Sequence, residues 1–310
     1  MKKLIQVNQV SVKVEQATGR TLSVDGDKQL SFFPSLSVAL NGVRFANAQG
    51  GSRPDMATVD VLFDYSSEKF HMTMNATLYY IYDPMCSWCW GYRPVWDALK
   101  LNLSDAIQIE YVAGGLAPDS NKPMPVEQQA MVKAHWHSIE EKLGTKFNFD
   151  FWRNNTPRRS TYNACRAAIA ANNQGYQVEM VEAIQHAYYL RALNPSDNDV
   201  LIGLAKELST QKLSTQKLPT QKLAEQKPSK QESIAKSAFD LTRFTADFTS
   251  EENEQALMQQ IHLARALTNQ GFPSLVLECN GVRRQILLNY KDYQATLADI
   301  NKVLDKCGSS

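Results

Sequence analysis

The sequence predicts an α/β fold in which a helical domain interrupts a sheet-forming one. A strand–helix–strand pattern occupies residues 78–112, and two strands followed by a helix occupy residues 275–304. Residues 123–270 between them show mainly helical periodicity. We therefore expect one α/β domain formed by residues 78–112 together with residues 275–304, with an all-helical domain inserted between these two halves.

The first half of the expected sheet begins at Leu78–Tyr82, a run rich in aromatic side chains that suits a strand. Asp83-Pro84 ends this strand, because proline fixes its own φ angle and restricts the residue before it. A helix is expected from there through Leu103, and a second strand at Ile107–Val112 ends at Gly114-Gly115. Strands joined by a helix pair in parallel, so this half forms a βαβ unit.

The inserted domain is predicted from apolar residues at helical spacing. Thr161–Asn172 carries one such face, and we interpret Cys165 on it as a small buried hydrophobic residue rather than a catalyst. A second helix is expected at Val178–Leu193, and a last one from the capping sequence Thr249–Glu252 to Gly271. We therefore expect this domain to be all-helical.

A low-complexity segment, residues 208–228, interrupts the helical region. Its pentapeptide Ser-Thr-Gln-Lys-Leu occupies residues 209–213 and recurs at 214–218. A period of five fits neither a helix nor a strand, and the segment is polar. We interpret it as a flexible surface insertion between two helices.

The second half of the sheet is expected near the C-terminus. Leu275–Glu278 and Val282–Leu288 are strand-like, and between them lies Asn280-Gly281, a dipeptide typical of hairpin turns. An amphipathic helix at Tyr290–Leu304 follows. This ββα unit would complete the sheet that the βαβ unit begins.

The first 73 residues are expected to form an extension that is either poorly ordered or folded as a small β subdomain. Val10–Val14 and Leu36–Val43 are strand-like, and Asp25-Gly26 and Asn41-Gly42 are hairpin-type turn pairs. No redox or binding motif occurs there, so we expect the extension to be dispensable. The predicted domains are the extension 1–73, the first half of the α/β domain 74–122, the helical insertion 123–270 and the second half 271–310.

Cys86 and Cys89 form a Cys-x-x-Cys motif at the start of the first predicted helix. A strand, a tight turn and Cys-x-x-Cys opening a helix are the layout of a thiol–disulfide redox site. The N–H groups and the dipole at a helix N-terminus favour a thiolate. In such motifs the exposed thiol has a pKa of roughly 3.5–7.5, against about 8.5 for a free cysteine. We therefore assign Cys86 as the nucleophile and Cys89, further inside the helix, as the resolving thiol.

Two other interpretations of this cysteine pair remain open. Zinc needs two further ligands at recognisable spacing, but the sequence has no second Cys-x-x-Cys, and His135 and His137 fall in a separate helical stretch. The pair could also be purely structural, although the strand–turn–helix context would then be a coincidence. Redox chemistry is the favoured interpretation.

Composition and charge exclude several other functions. With 33 basic and 32 acidic residues, the chain offers no electrostatic basis for binding nucleic acid or an anionic membrane. Its five cysteines are scattered, unlike the disulfide framework of a small secreted domain. Polar side chains interrupt residues 4–14, where a signal peptide needs an apolar core, and no run of 18 apolar residues occurs. We therefore expect a cytoplasmic protein without a membrane span, with the periplasm as the alternative compartment.

Taken together, these motifs resemble the DsbA-like branch of the thioredoxin superfamily, whose members carry a helical domain inserted in a thioredoxin fold. Within that branch the chain is most similar to the cytoplasmic protein-disulfide isomerases related to FrnE. The likeness covers roughly Met74–Asp305 without the repeats. The residues that carry it are Tyr79–Gly91, Asn163–Ala171, Ala187–Tyr189 and Gly271–Glu278.

The resemblance implies that Pro273 is a cis-proline facing the cysteine pair. Phe272 would then offer its backbone groups to an extended substrate peptide, and Trp88 would lie at the substrate-binding surface. The buried acid that usually assists the resolving thiol is not identified. Asp83 is the nearest candidate, but supporting the turn is the favoured role for this residue.

The sequence therefore predicts a thiol–disulfide oxidoreductase or protein-disulfide isomerase that uses Cys86 and Cys89 and needs no metal or organic cofactor. Its expected partners are proteins that carry thiols or disulfides, with glutathione as a further candidate. Ser87 and Trp88 add no cation beside the thiols, so the reduction potential is left open between about −270 and −120 mV.

Two rival functions stay open from the sequence. One is that of the kappa-type glutathione transferases and isomerases, which share the inserted helical domain but, as the family implies, rely on a serine-type residue. The intact cysteine pair argues against this function. The other rival is a peptide-binding chaperone that uses the Phe272-Pro273 groove, with the disulfide incidental.

Overall fold

The structure is a computed structural model of the chain. It describes residues 76–210 and 238–308, together with the backbone of five short strands in the first 40 residues. The chain divides into two compact units, Met1–His71 and Met72–Ser310.

The N-terminal unit contains short antiparallel strands. They are β1 (Lys3–Ile5), β2 (Val10–Val12), β3 (Leu22–Val24), β4 (Leu30–Phe32) and β5 (Val38–Leu40). One sheet has the order β1-β4-β5, and β2 pairs with β3. Strands β2 and β5 overlap the two strand-like runs in the sequence, whereas both expected turn pairs lie outside the described residues. That the extension is dispensable stays a prediction.

The second unit contains a four-stranded mixed sheet. Its strands are β6 (Ala76–Tyr82), β7 (Ile107–Ala113), β8 (Ser274–Cys279) and β9 (Val282–Ile286). Their order is β7-β6-β8-β9, with β6 parallel to β7 and antiparallel to β8. The predicted βαβ and ββα halves therefore meet between β6 and β8, although about 190 residues separate these strands in the sequence.

The β8–β9 hairpin has the predicted turn. Asn280 and Gly281 have φ angles of 50° and 76°. Both are in the left-handed region that a two-residue hairpin turn requires, which asparagine and glycine adopt most easily. This turn fixes the register of β9 against β8, with Cys279 opposite Val282.

Nine helices are described in residues 76–210 and 238–308. They are α1 (Ser87–Asn102), α2 (Val126–Leu143), α3 (Phe151–Asn154), α4 (Tyr162–Asn172), α5 (Gln177–Tyr189), α6 (Asn198–Thr210), α7 (Leu241–Phe248), α8 (Glu251–Leu267) and α9 (Tyr293–Gly308). Helices α2 to α8 separate the two halves of the sheet, as the sequence predicts. The repeat segment from residue 211 onward lies outside the described residues.

Several helix ends differ from the sequence-based prediction, and local backbone geometry accounts for the end of α8 and the start of α9. Helix α5 ends at Tyr189, before the expected Leu193. Helix α8 begins after Ser250, whose hydroxyl accepts a hydrogen bond from the Asn253 N–H, but it ends at Leu267 because Thr268 is extended. Helix α9 begins later than predicted because the side chain of Asn289 accepts bonds from the next backbone N–H groups and holds a turn there.

Side chains of β6 alternate between the two faces of the sheet. Leu78, Tyr80 and Tyr82 face the core that α1 and α9 form, whereas Tyr79 and Ile81 face α8. The inserted helices have their own core around Trp136, which is fully buried among aromatic rings. None of the described helices is long and apolar enough to cross a membrane.

Candidate active site

The turn after β6 positions the cysteine pair at the start of α1. Cys86 is the N-cap of this helix, with an extended backbone at φ −80° and ψ 118°, and its N–H donates to the Asp83 carbonyl at 3.0 Å. The first turn of α1 carries no acidic side chain. The free N–H groups and the positive end of the helix dipole therefore favour negative charge at Cys86 without opposition from a neighbouring carboxylate on this turn.

The two thiols differ in exposure. Cys86 is 7% exposed, whereas Cys89 is completely buried. Burial, followed by the hydrogen bond and the charge interaction with Cys86, raises the pKa of Cys89 well above its ordinary value. The two thiols are in contact but not joined by a disulfide. Solvent and reagents therefore reach Cys86 first.

The Phe272-Pro273 loop lies directly against the reactive cysteine. The Cys86 Sγ lies 3.3 Å from the Phe272 carbonyl oxygen, to which it can donate a hydrogen bond. That carbonyl belongs to the peptide bond between Phe272 and Pro273, which is cis. The predicted cis bond is confirmed, and so is its position next to Cys86 across the 186 residues that separate the two sites in sequence.

A glycine makes room for the Phe272 ring. A Cβ atom at Gly114 would lie 2.1 Å from two carbon atoms of this ring, far inside van der Waals contact. The Gly114 N–H donates to the Tyr82 carbonyl at 2.7 Å, which fixes its backbone beside the end of β6. Sequence reasoning used Gly114 only to end a strand, because the partner that needs its small size lies far away in the chain.

Trp88 packs beside the cysteine pair on the first turn of α1. Its ring is half-buried and meets Tyr290 edge to face, with 5.3 Å between ring centroids. Tyr290 also contacts Tyr92 in the same manner, at 5.2 Å. Trp88 therefore has a fixed position with one face open to a groove.

This groove has a volume of about 230 Å³ and opens at Cys86. Apolar side chains form most of its wall, and a smaller set of polar and basic side chains forms the rest. Three of the five predicted site residues line the groove, namely Cys86, Trp88 and Phe272. The other two, Cys89 and Pro273, are buried and do not line it. The residues that line it are Met85, Cys86, Ser87, Trp88, Leu116, Met124, Met131, Val132, His135, Trp136, Arg158, Arg159, Ser160, Thr161, Tyr188 and Phe272.

Asp83, the candidate acid nearest the cysteine pair in the sequence, is completely buried. It supports the turn, as predicted, by accepting the Met85 N–H at 2.8 Å. It also accepts the Leu116 N–H and the Thr161 hydroxyl, each at 2.7 Å, and the Cys165 thiol at 3.6 Å. Complete burial raises its pKa above the ordinary value of 3.8 despite these donors. Its charge raises the pKa of the nearby resolving thiol.

The remaining candidate ligands do not assemble into a metal site. Cys165 is completely buried, as predicted, and its thiol contacts Asp83. His135 lies on the groove wall, and the ring of His137 stacks on Phe149. Within residues 76–210 and 238–308, no three His, Cys, Asp or Glu side chains converge as metal ligands would.

The mixed sheet, the inserted helices and the Cys-x-x-Cys pair at the start of α1 define a thioredoxin-fold protein of the thiol–disulfide oxidoreductase class. The chain belongs to the DSBA-like thioredoxin domain family, whose model matches residues 77–237, just over half of the chain.

Solved structures show the same fold. A Nitrosomonas europaea protein provisionally assigned as a protein disulfide isomerase is 26% identical, with a TM-score of 0.59 over 75% of this chain and 98% of that chain. The cytosolic disulfide reductase DsbM from Pseudomonas aeruginosa is 22% identical, with a TM-score of 0.54 over 74% of this chain and 98% of that one. At this identity the second likeness shows the fold alone.

A curated relative matches over a shorter segment. The ClpXP adapter protein SpxH of Halalkalibacterium halodurans is 25% identical over 135 residues, which is 42% of this chain. The chain thus spans 44% of the length of the curated relative that it matches.

Proposed function

We propose that the protein catalyses thiol–disulfide exchange at Cys86 and Cys89, as an oxidoreductase or isomerase of protein disulfides. The observation that carries this proposal is the asymmetry of the pair. One thiol sits at a helix N-terminus at the mouth of a groove, and the other is buried directly behind it. This asymmetry is what a nucleophile and a resolving thiol require.

In the proposed reaction Cys86 attacks one sulfur of a substrate disulfide. A mixed disulfide with Cys86 forms, and the other substrate sulfur leaves as a thiolate and takes up a proton. The Cys89 thiol then loses its proton and attacks the Cys86 sulfur, which releases the second substrate thiol. The enzyme is left with a Cys86–Cys89 disulfide, two electrons having passed to the substrate. The reverse sequence oxidises a substrate dithiol.

The buried carboxyl of Asp83 can assist the resolving step. A buried thiol with a raised pKa is a poor nucleophile until it loses its proton, and Asp83 lies close enough to influence its charge. A carboxyl whose own pKa is raised by burial exchanges protons nearer neutral pH than an exposed one does. We propose that Asp83 holds the active-site turn through the Met85 N–H and acts on the resolving thiol through its charge.

Substrate binding would involve the Phe272 carbonyl and the groove beside Trp88. A backbone group placed 3.3 Å from the Cys86 sulfur can pair with an extended peptide while its disulfide meets the thiol. Three methionines line the groove, Met85, Met124 and Met131, and such flexible side chains suit varied apolar substrates. We propose thiol- or disulfide-bearing proteins as substrates, and the cytoplasm as the compartment.

The proposal is tested by the reduction of insulin with dithiothreitol as electron donor. We expect the wild-type protein to accelerate insulin precipitation, and Cys86→Ser to abolish this catalysis. Cys307→Ser is a matched control, because Cys307 is half-buried on α9 and does not line the groove. Unchanged catalysis by Cys86→Ser would overturn the proposal. Peptide binding that survives replacement of both Cys86 and Cys89 by alanine, with no insulin reduction by the wild type, would favour the chaperone alternative.

A further inference from the structure

The groove beside Cys86 carries an uneven distribution of charge. Its charged or titratable side chains, apart from the cysteine, are His135, Arg158, Arg159 and Tyr188, and no carboxylate lines it. Asp83, which precedes Cys86 by three residues, does not line the groove; it is completely buried and is engaged by its own donors. The surface that meets a substrate is therefore apolar with basic groups at one side.

The two arginines differ in their partners. Arg158 already has partners within the protein, because its guanidinium forms an ion pair with Asp197 and donates to the Ser196 carbonyl at 3.0 Å. Arg159 is half-buried, yet among the residues that the structure describes it has neither an ion pair nor a hydrogen-bond acceptor. Arg159 lines the groove together with Tyr188. Burial raises the pKa of the Tyr188 hydroxyl, and the charge of Arg159 opposes this rise.

A partly desolvated guanidinium without a partner is unfavourable, because arginine stays charged and needs acceptors for its donors. A ligand carboxylate satisfies it with two parallel hydrogen bonds. A groove of about 230 Å³ lies below the roughly 300–1,000 Å³ of pockets that enclose a drug-sized ligand. The space beside the thiol is thus large enough for the reacting half of a small disulfide.

We propose that Arg159 binds the carboxylate of a low-molecular-weight disulfide, or of the corresponding thiol, whose sulfur reacts with Cys86. This inference rests on the proposed function, since it names a substrate class for the same thiols. Cys86 attacks one sulfur of the anionic disulfide and forms a mixed disulfide, and a carboxylate-bearing thiol leaves. Cys89 then displaces the second carboxylate-bearing thiol, so that the protein dithiol is oxidised as the small disulfide is reduced to two thiols.

The test compares small disulfides that differ in charge. The reduced protein is mixed with 3,3′-dithiodipropionate, bis(2-hydroxyethyl) disulfide or cystamine, which are anionic, neutral and cationic. Formation of the Cys86–Cys89 disulfide is followed by mass spectrometry after alkylation. Each rate is divided by the rate of the same reagent with free dithiothreitol, which removes differences in intrinsic reactivity. We expect the anionic reagent to be favoured about tenfold over the neutral one, equivalent to about 1.4 kcal/mol.

Charge variants assign this preference to one residue. Arg159→Gln should reduce the anionic preference to about onefold, whereas Arg159→Lys should retain part of it. Arg153→Gln is the matched control, because it removes one positive charge at a side chain that is 76% exposed and outside the groove. The preference should also fall at high salt in the wild-type protein, which tests the charge interaction without a variant.

The outcomes separate this inference from the proposed function. Normal oxidation by the neutral disulfide without an anionic preference would overturn the role of Arg159 and leave the redox site intact. An equal loss of preference in Arg159→Gln and Arg153→Gln would also overturn it. An acidic peptide disulfide serves as a fourth reagent, and an Arg159-dependent preference for it without one for 3,3′-dithiodipropionate would overturn the small-molecule assignment. Failure of every reagent to form the Cys86–Cys89 disulfide would overturn the proposed function, and this inference with it.

Discussion

Replacing Asp83 by asparagine tests whether the buried carboxyl organises the active-site turn. One carboxylate oxygen accepts the Met85 N–H, and the other accepts the Leu116 N–H, the Thr161 hydroxyl and the Cys165 thiol. Asparagine has the same shape but only one acceptor oxygen. If this oxygen takes the position with three donors, the amide NH₂ must face the Met85 N–H, and two donors then meet without an acceptor.

One buried donor left without an acceptor costs about 1–3 kcal/mol, which is the destabilisation expected for Asp83→Asn. Asp83→Ala leaves two backbone N–H groups unpaired, so its cost should be about 2–6 kcal/mol. The Thr161 hydroxyl adds little, because it can donate to the Ala117 carbonyl 3.4 Å away instead. Since domains of this size are stable by about 5–15 kcal/mol, the asparagine variant should still fold.

The assay is urea unfolding of both Asp83 variants beside Asp97→Asn. Asp97 is a matched control on α1, because its carboxylate is about half exposed and pairs with the Arg93 and Lys100 side chains; a half-exposed ion pair is screened by water, so its loss should cost less than about 1 kcal/mol. Equal midpoints for Asp83→Asn and Asp97→Asn would refute the reasoning. A second readout is the titration of Cys89 in a Cys86→Ser background, where loss of the Asp83 charge should lower the pKa of this thiol.

The pH dependence of stability tests whether the pKa of Asp83 is raised in the folded protein. Because burial raises the pKa of Asp83 above 3.8, the folded protein binds this proton more tightly than the unfolded chain does. The contribution of this group to stability is therefore complete below about pH 4 and is lost as the pH rises through the raised folded pKa. Asp83→Asn should lack this loss. An identical pH profile in the wild type and the variant would show that the carboxyl does not titrate as inferred.

Three further predictions concern other parts of the chain. Limited alkylation of the reduced protein near pH 7 should label Cys86 first, and Cys279 should resist because burial and the neighbouring Cys307 thiol raise its pKa to about 11. Mass spectrometry that finds the completely buried Cys89 or Cys165 labelled ahead of Cys86 would contradict this. Deletion of residues 1–73 should leave insulin reduction and cooperative unfolding nearly unchanged, and loss of soluble protein would show that the extension is needed. Gly114→Ala should slow insulin reduction and cost about 1–3 kcal/mol, because the added methyl displaces the phenylalanine ring beside the reactive thiol. Gly203→Ala is the control, because this helical site has no atom within 4 Å of the added Cβ, and the change should be neutral or stabilising. Equal effects of both glycine variants on unfolding and turnover would contradict the role given to Gly114.

The features that the sequence predicted well are those set by neighbours in the chain. Asn280-Gly281 specifies a hairpin because both residues tolerate positive φ, and this is the turn observed. The proline after Asp83 ends β6 because it restricts the backbone locally. The Cys86–Cys89 spacing likewise needs only one helix to bring the two thiols together, and α1 begins directly after Cys86.

The features that the sequence did not reveal depend on contacts between distant residues. The donors to Asp83 include Leu116 and Thr161, which lie 33 and 78 residues away in sequence. Neither has a pattern that marks it as a partner of a buried acid. Gly114 needs its small size only because the Phe272 ring packs on it. Arg159 likewise reads as an ordinary surface cation until the fold places it on the groove wall.

The reduction potential of the Cys86–Cys89 couple tests the central proposal most directly. The protein is equilibrated in glutathione buffers of graded redox poise, and the two cysteines are then alkylated and quantified by mass spectrometry. We predict a single two-electron transition that links Cys86 to Cys89, with a midpoint between about −270 and −120 mV, the range of catalytic dithiols. A couple more reducing than about −300 mV, as for structural disulfides, or no Cys86–Cys89 disulfide at any poise, would contradict the proposal.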